Sequence, residues 1–215
     1  MSIIATNPIR KTAAMLSAAC LAFVAIAAGP GHDHAAKVKV GEKAPDFKLA
    51  DLEGNQHKLS TYAKDGKIVV LEWFNPGCPF VKKHYRDDTK TMNKLAEKYR
   101  DQGVVWLRIN SGAPGKQGHG AELNKKIAAE WNIKDPILLD ESGKVGRLYN
   151  SKNTPTMAVI NAEGTLAYFG AIDDDRGGRN AGKTNFVDLA LTQVLAGETV
   201  AKASTKPYGC AVKYD

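Results

Sequence analysis

Residues 67–79 read KIVVLEWFNPGCP, and this stretch decides the fold. Its first eight residues are almost all apolar, which is typical of a strand buried on both faces. Residues 75–77 (NPG) then form a turn signal that ends the strand. Cys78 follows, and Pro79 suits the first position of a helix, where its missing N–H costs nothing. The sequence therefore predicts a strand, a turn, a cysteine and a helix in direct succession.

Cys78 is the first candidate for chemistry. The free N–H groups and the dipole at a helix N-terminus favour a thiolate over a thiol. A thiolate is the nucleophile in disulfide exchange and in the attack on peroxides. The alternative is an unreactive buried thiol that packs as a small apolar side chain. The order of elements favours the reactive interpretation.

The segments on both sides of this stretch alternate between strand and helix patterns. Upstream, residues 47–49 and 56–59 flank a polar turn and predict a hairpin. Downstream, the helix beginning at Pro79 is predicted to run to about Arg100. Further strands are predicted at 104–109, 137–139, 156–160 and 165–170, and further helices at 121–131, 144–149 and 184–196. This alternation predicts an α/β protein with helices on both faces of one sheet.

The N-terminal segment predicts export. Residues 1–28 combine a basic start, an apolar middle and a small-residue exit, which is the pattern of a signal peptide. Cleavage is expected near Ala27–Ala28, so the protein would be periplasmic or secreted, with no stable membrane span after cleavage; an uncleaved N-terminal anchor is the alternative. Lipidation of Cys20 is disfavoured by Ser17 three residues before it. We divide the rest into a flexible leader (29–40), one domain (41–200) and a C-terminal tail (201–215).

Composition excludes several classes of protein. Of the 215 residues, 43% are apolar and 25% charged, which excludes collagen-like, low-complexity and polytopic membrane proteins. The net charge of +7 is spread along the chain without a block of like charges, so no nucleic-acid partner is expected. Three cysteines are too few for a disulfide scaffold. Neither a cofactor nor a bound metal is predicted.

Two further features suit a thiol site. Thr154-Pro155 precedes a strand, and a cis-proline there would present backbone groups to the thiol. Glu72 is an acid within an apolar strand, and burial would raise its pKa and allow it to carry a proton to or from sulfur. An edge position with the carboxylate in water is the alternative for Glu72.

These motifs carry a resemblance to a known superfamily. Residues 71–79 (LEWFNPGCP) resemble the active-site strand and turn of the thioredoxin superfamily, and residues 148–170 resemble its cis-proline hairpin. Residues 41–59 are similar to the N-terminal hairpin of its redoxin and peroxiredoxin branch, the alkyl hydroperoxide reductase and thiol-specific antioxidant type. The resemblance implies a thioredoxin-like fold, with a central mixed sheet and an N-terminal hairpin extension. It also implies an oxidoreductase with antioxidant or disulfide-exchange activity, in which backbone beside Pro155 binds the substrate.

The chain departs from both branches in ways that leave the reaction open. Thioredoxins have a second cysteine three positions after the first, where this chain has Val81. Peroxiredoxins have a threonine where Asn75 stands and an arginine on the strand that begins at Pro155 here. Arg147 is the nearest candidate for that arginine, and its spacing does not place it on the sulfur.

Cys210 is the candidate partner for Cys78. It follows a glycine on the tail, and a thiol there would resolve a sulfenic acid or a mixed disulfide on Cys78. A permanent structural disulfide between the two is the alternative. We therefore assign catalysis to Cys78, Cys210, Glu72 and Pro155, and substrate binding to Thr154, Pro79 and Trp73.

The resulting expectation is an exported thiol oxidoreductase. Its substrate would be a protein thiol or disulfide or a hydroperoxide, and an external thiol would reduce it. The alternative is a module without turnover that holds a soft metal such as copper, or a thiol, on the same fold. His32 and His34 would help in that case, whereas His84 points about 120° away from Cys78 if one helix carries both.

Overall fold

The computed structural model describes Met1 and residues 38–215. The predicted signal peptide, Cys20 and the histidines of the leader lie outside the described residues. Residues 38–215 belong to one compact unit. None of the helices described in this unit is long and apolar enough to cross a membrane.

The unit is built on a mixed sheet of seven strands. Its spatial order is β2-β1-β5-β4-β3-β7-β8, and a separate two-stranded sheet joins β6 to β9. The strands are β1 (Lys48–Asp51), β2 (Gln56–Lys58), β3 (Ile68–Trp73), β4 (Val104–Asn110), β5 (Ile137–Leu139), β6 (Asn153–Thr154), β7 (Met157–Ile160), β8 (Leu166–Gly170) and β9 (Cys210–Ala211). The predicted mixed sheet is confirmed, and its N-terminal hairpin, β1 and β2, joins the sheet through β5.

Strand β3 is central because it is buried on both faces. All six of its residues are buried. It pairs in parallel with β4 and antiparallel with β7, so its backbone groups have partners on both sides. The near-continuous apolar run in the sequence therefore indicated the middle of the sheet correctly.

Helices cover both faces of the sheet, as predicted. They are α1 (Leu59–Lys64), α2 (Pro79–Lys82), α3 (Thr91–Arg100), α4 (Ala121–Glu130), α5 (Lys144–Leu148) and α6 (Phe186–Leu195). Side chains of α3, α4 and α6 pack into the core on the face that includes Cys78. Side chains of α1 and α5 pack into the core on the other face. Helix α1 had no counterpart in the sequence prediction.

The predicted continuous helix from Pro79 to about Arg100 is wrong. Helix α2 ends after one turn, residues 83–90 form turns, and α3 begins only at Thr91. Lys83, His84 and Tyr85 are consecutive and all buried. Successive residues of an α-helix point about 100° apart, so a straight helix cannot bury all three against one sheet. The chain instead turns each of them toward a polar partner inside the protein.

Candidate thiol site

Cys78 lies at the end of a tight turn after β3. The side-chain oxygen of Asn75 accepts a hydrogen bond from the Gly77 N–H at 2.8 Å, and the Cys78 N–H donates to the Asn75 carbonyl at 3.0 Å. Cys78 is the N-cap residue of α2, and Pro79 occupies the first turn. The strand, turn, cysteine and helix therefore follow one another as the sequence predicted.

The short length of α2 changes the electrostatic argument for Cys78. The dipole effect of a helix terminus grows with aligned peptide units, and α2 has only four residues. The Cys78 thiol donates a hydrogen bond to the Thr154 carbonyl oxygen at 3.1 Å. Its side chain has no exposed surface. The sulfur thus lies buried against the backbone of Thr154.

The backbone of Thr154, beside Pro155, already pairs with another segment of the chain. The Thr154–Pro155 peptide bond is cis, as the sequence predicted. Strand β6 ends at Thr154 and pairs antiparallel with β9, so that Thr154 lies opposite Cys210. Both candidate thiols therefore lie at Thr154: the Cys78 thiol contacts the Thr154 carbonyl, and Cys210 pairs with Thr154 across the two strands.

Cys210 is half-buried at this position, and both cysteines are free thiols. Burial, followed by the neighbouring thiol of Cys78, raises the pKa of Cys210 to about 11. The segment continues along the same edge, where the Val212 N–H donates to the Lys152 carbonyl at 3.0 Å. The Asn153 side-chain amide donates to the Gly209 carbonyl at 3.1 Å. Hydrogen bonds on both sides therefore hold Cys210 beside Cys78.

A buried polar cluster anchors the segment before Cys210. The Tyr208 hydroxyl donates to a carboxylate oxygen of Asp173 and lies 3.1 Å from Nε2 of His84. The Lys83 ammonium lies 4.6 Å from the centre of the Tyr208 ring and donates to the carbonyls of Asp175 and Gly177. We name Lys83, His84, Asp173 and Tyr208 the anchor cluster.

Sequence reasoning missed the anchor cluster. By their sequence alone, the three consecutive acids that begin at Asp173 suggest a solvated loop, whereas Asp173 is buried. A signal was present: Lys83 and His84 interrupt an apolar stripe just after Cys78, and Tyr208 precedes the tail cysteine by two residues. Burial and the nearby Lys83 and Arg86 charges lower the pKa of His84 to about 3. His84 is therefore neutral at neutral pH, and its Nδ1 atom has no hydrogen-bond partner.

Glu72 is fully buried, so the alternative of a water-exposed edge position is wrong. Its carboxylate accepts hydrogen bonds from Tyr85 at 2.7 Å and from the Trp106 indole at 2.9 Å, and lies 3.5 Å from Nε of Arg108. Burial raises the pKa of Glu72 and outweighs the opposing effect of Arg108. Arg108 also pairs with Asp135 at 3.2 Å. The contacts of Glu72 therefore run to a buried charge cluster rather than to the Cys78 sulfur.

The other candidate residues lie in different places around the thiol. Pro79 follows Cys78 and is exposed, whereas Thr154 and Pro155 are buried and the Thr154 carbonyl contacts the Cys78 thiol. Thr154 also has a buried hydroxyl without a hydrogen-bond partner. Trp73 is fully buried in the core of the opposite face, against Tyr149, so the structure does not bring it to the thiol.

Neither Arg147, which the spacing did not place on the sulfur, nor a metal-binding cluster of described residues lies at the thiol. Arg147 is exposed, and its guanidinium stacks 4.5 Å from the centre of the Tyr214 ring. Among residues 38–215, no group of three or more histidine, cysteine or acidic side chains is arranged to hold a metal ion. The site as described is a pair of neighbouring thiols on a strand edge.

Comparison with known proteins identifies the family. The family model described as AhpC/TSA matches residues 40–169, which is more than half of the chain. The chain belongs to the AhpC/TSA family. The matched region of this AhpC/TSA member includes Cys78 and Pro155 but ends before the anchor residue Tyr208 and before Cys210.

Relatives of this AhpC/TSA protein are thiol-disulfide oxidoreductases. The "Thiol-disulfide oxidoreductase ResA" of Geobacillus kaustophilus is 35% identical over 130 residues, which cover 60% of this chain and 67% of the relative. These findings confirm the predicted thioredoxin-superfamily redoxin domain and support an oxidoreductase.

Solved structures confirm the fold. A hypothetical protein from Sinorhizobium meliloti has a TM-score of 0.75 at 26% identity, covering 84% of this chain and 97% of its own. A putative thiol:disulfide interchange protein, DsbE, from Chlorobium tepidum has a TM-score of 0.56 at 22% identity, covering 74% of this chain and 99% of its own. The second likeness shows the thioredoxin-like fold alone.

Proposed function

We propose that this protein is an exported thiol-disulfide oxidoreductase in which Cys78 is the nucleophile and Cys210 is the resolving thiol. The observation that carries the proposal is the meeting of both thiols at Thr154, one through a hydrogen bond to its carbonyl and the other through strand pairing. The name and 35% identity of the ResA relative support thiol-disulfide exchange as the reaction class.

The proposed reaction is a two-electron exchange with a protein disulfide. The Cys78 thiolate attacks one sulfur of the substrate disulfide, forms a mixed disulfide and releases one substrate thiol. Cys210 then loses its proton and attacks the Cys78 sulfur. This step forms the Cys78–Cys210 disulfide and releases the second substrate thiol, which takes up the proton. An external dithiol returns the pair to the reduced state by the reverse steps.

The C-terminal tail supplies the second cysteine that α2 lacks. A thioredoxin-type second cysteine would stand at position 81, where Val81 is fully buried in the core. Cys210 instead neighbours Cys78 through the pairing of β9 with β6. The pair therefore serves as a local dithiol even though 131 residues separate the two cysteines in the sequence.

The remaining candidates take supporting roles in the proposal. In this proposal, the backbone of Thr154, next to Pro155, pairs with an extended substrate segment as it pairs with β9 of the tail. Pro79 is exposed next to Cys78 and borders the bound segment. The proton role of Glu72 remains a prediction. If Glu72 carries a proton to or from the thiols, Glu72→Gln should shift the pH dependence of Cys78 alkylation. An unchanged pH dependence with a lower free energy of unfolding would show that Glu72 acts only within the buried charge cluster.

Disulfide exchange is favoured over hydroperoxide reduction by the surroundings of the sulfur. Peroxide cleavage benefits from a cation that stabilises the developing charge on oxygen. Arg147 is committed to Tyr214 and to the carbonyl groups of Ser142 and Asp215 instead. A hydroperoxide is therefore the second substrate class to test.

Export is the second part of the proposal. It is supported by the signal-peptide pattern of residues 1–28, and disulfide exchange needs an oxidising compartment for its substrates to persist. The intact mass of protein recovered from a periplasmic or secreted fraction tests it. Cleavage near Ala27–Ala28 is expected, and full-length chain confined to the cytosol would contradict export.

Trapping tests the assignment of the two cysteines. In Cys210→Ser, glutathione disulfide should produce a stable adduct on Cys78, because no resolving thiol removes it. In Cys78→Ser, modification should be much slower, because burial still holds the pKa of the Cys210 thiol above its ordinary value and disfavours the thiolate at neutral pH. Adducts forming mainly on Cys210, or none in either variant, would refute the proposal. Hydrogen peroxide in place of glutathione disulfide measures the competing substrate class.

A further inference from the structure

The tail pairs with the strand edge that the Cys78 thiol contacts. We define residues 208–212 as the strap. Cys78 has no exposed surface, and the backbone carbonyl that it contacts belongs to the residue paired with Cys210. A substrate segment binding along Thr154 would occupy the position of the strap. The strap and an outside polypeptide therefore compete for one edge.

Tyr208 controls the position of this strap. It is the buried end of the segment, and a single residue, Gly209, separates it from Cys210. Its hydroxyl donates to Asp173, its ring lies beneath the Lys83 ammonium, and the Phe80 ring lies 6.1 Å away. With Tyr208 fixed in this way, little freedom remains for the thiol two residues later.

The anchor cluster has little reason to exist for stability alone. Burying Lys83 and Asp173 costs desolvation, which well-packed apolar residues at the same places would avoid. Both charges are nonetheless fully buried, and they come from the elements that surround the thiols: Lys83 follows α2, and Asp173 follows β8. The cluster therefore connects the environment of Cys78 to the segment that carries Cys210.

We propose that Tyr208 is the positioning residue that holds Cys210 against Cys78. By doing so, Tyr208 sets the ratio between two reactions of Cys78, one with Cys210 and one with an outside disulfide. This inference rests on the proposed thiol exchange. In the seated state Cys210 attacks the Cys78 mixed disulfide as an intramolecular thiol, and the substrate thiol leaves with the proton. In the released state Cys78 is open to an outside disulfide, which is reduced as Cys78 is oxidised.

The proposal predicts opposite effects on two steps. Tyr208→Phe removes the hydroxyl contact with Asp173 but keeps the ring. The equilibrium for closing the Cys78–Cys210 disulfide, measured against glutathione, should fall at least about tenfold, the size expected for a hydrogen bond to a charged group. The rate at which glutathione disulfide modifies Cys78, measured in a Cys210→Ser background, should rise by a similar factor. Loosening of the whole fold would also expose Cys78, so a matched destabilising variant elsewhere in the chain is needed as a control.

The chain offers a matched control in Tyr62. Its hydroxyl lies 2.6 Å from His57 Nδ1, and His57 in turn lies 2.9 Å from Asp51, in the N-terminal hairpin region. Tyr62→Phe therefore removes a tyrosine hydroxyl from a similar histidine and aspartate group, and it should leave both steps unchanged. Asp173→Asn weakens the anchor contact from the other side and should reproduce the effects of Tyr208→Phe.

The outcomes separate the positioning role from the proposed function. If Tyr208→Phe and Asp173→Asn change neither step, or change both in the same direction, the positioning role is overturned while the thiol exchange remains. If Cys210→Ser forms no adduct on Cys78 and the wild type forms no internal disulfide, the proposed function fails and the positioning role fails with it.

Discussion

Substituting Gly209 with alanine should separate the two thiols. Gly209 has a φ of +121°, a region that residues with a side chain rarely adopt. A Cβ atom at this position would overlap the Thr154 carbonyl oxygen and lie 2.8 Å from the carbonyl carbon. Both atoms belong to the backbone, so rotation of a side chain cannot relieve the contact. The strap must move away from Thr154, and Cys210 must move with it.

The size of the effect follows from what the movement breaks. The backbone conformation alone costs the alanine variant about 1–2 kcal/mol. Moving the strap also loosens its pairing with β6 and the Asn153–Gly209 hydrogen bond, each contact contributing about 1 kcal/mol. A total of about 3–4 kcal/mol corresponds to a weakening of about 150- to 700-fold of the Cys78–Cys210 disulfide relative to glutathione.

Equilibration in glutathione redox buffers, followed by acid quenching and mass spectrometry, measures this quantity. Gly197→Ala is the matched control, because Gly197 also has a positive φ of +72° but has open space around its Cβ position. It should cost stability without changing the thiol equilibrium. An unchanged disulfide equilibrium in Gly209→Ala would refute the reasoning, because Cys210 would then not depend on the strap for its position.

Three further predictions follow from the buried polar groups. Glu72→Ala should lower the free energy of unfolding in urea by about 3–5 kcal/mol, because fully buried Arg108 loses an ionic partner. His84 has a pKa of about 3 in the folded protein and an ordinary pKa near 6.5 in the unfolded chain. Between these two values only the unfolded state takes up a proton as the pH falls, so the free energy of unfolding of the wild type should fall by about 3–5 kcal/mol over this window. His84→Gln should lose this part of the decline. Cys78→Ala should move the half-maximal pH for alkylation of Cys210 below about 11, because the neighbouring thiol contributes to the raised pKa.

Substitutions at exposed or partly exposed sites control for these variants. Glu97→Ala removes an exposed acid of α3 and should change stability by less than about 0.5 kcal/mol. His119→Gln removes a histidine outside the anchor cluster and should leave the decline in stability with acid intact. A loss below about 1 kcal/mol in Glu72→Ala, or an acid profile of His84→Gln identical to that of the wild type, would contradict the structural argument. Alkylation of Cys210 that ignores the loss of Cys78 would show that the thiols do not interact.

The sequence was sufficient for the sheet because its strands carry local signals. The run that became β3 is apolar on both faces, and the turn and Cys78 follow it without interruption. Thr154-Pro155 was recognisable because its position before a strand suits a cis-proline. Each of these features depends on neighbouring residues, which one sequence displays directly.

The failures involve contacts between distant segments. The predicted helix after Cys78 is too long. An apolar stripe does not reveal that Lys83 and His84 have polar partners near position 173 and in the tail. The pairing of β6 with β9 joins two-residue strands, which have too few residues to show a periodic pattern. The side of the sheet on which Trp73 lies also depends on the register of β3, and it placed Trp73 away from the thiol.

Peptide mapping of the wild-type protein after one equivalent of glutathione disulfide tests the central claim most directly. We expect a Cys78 adduct to appear first and to convert to a Cys78–Cys210 disulfide with release of glutathione, and we expect a dithiol to restore both thiols. Persistent single adducts, or a Cys78–Cys210 bond that already exists and resists reduction in the native protein, would contradict it.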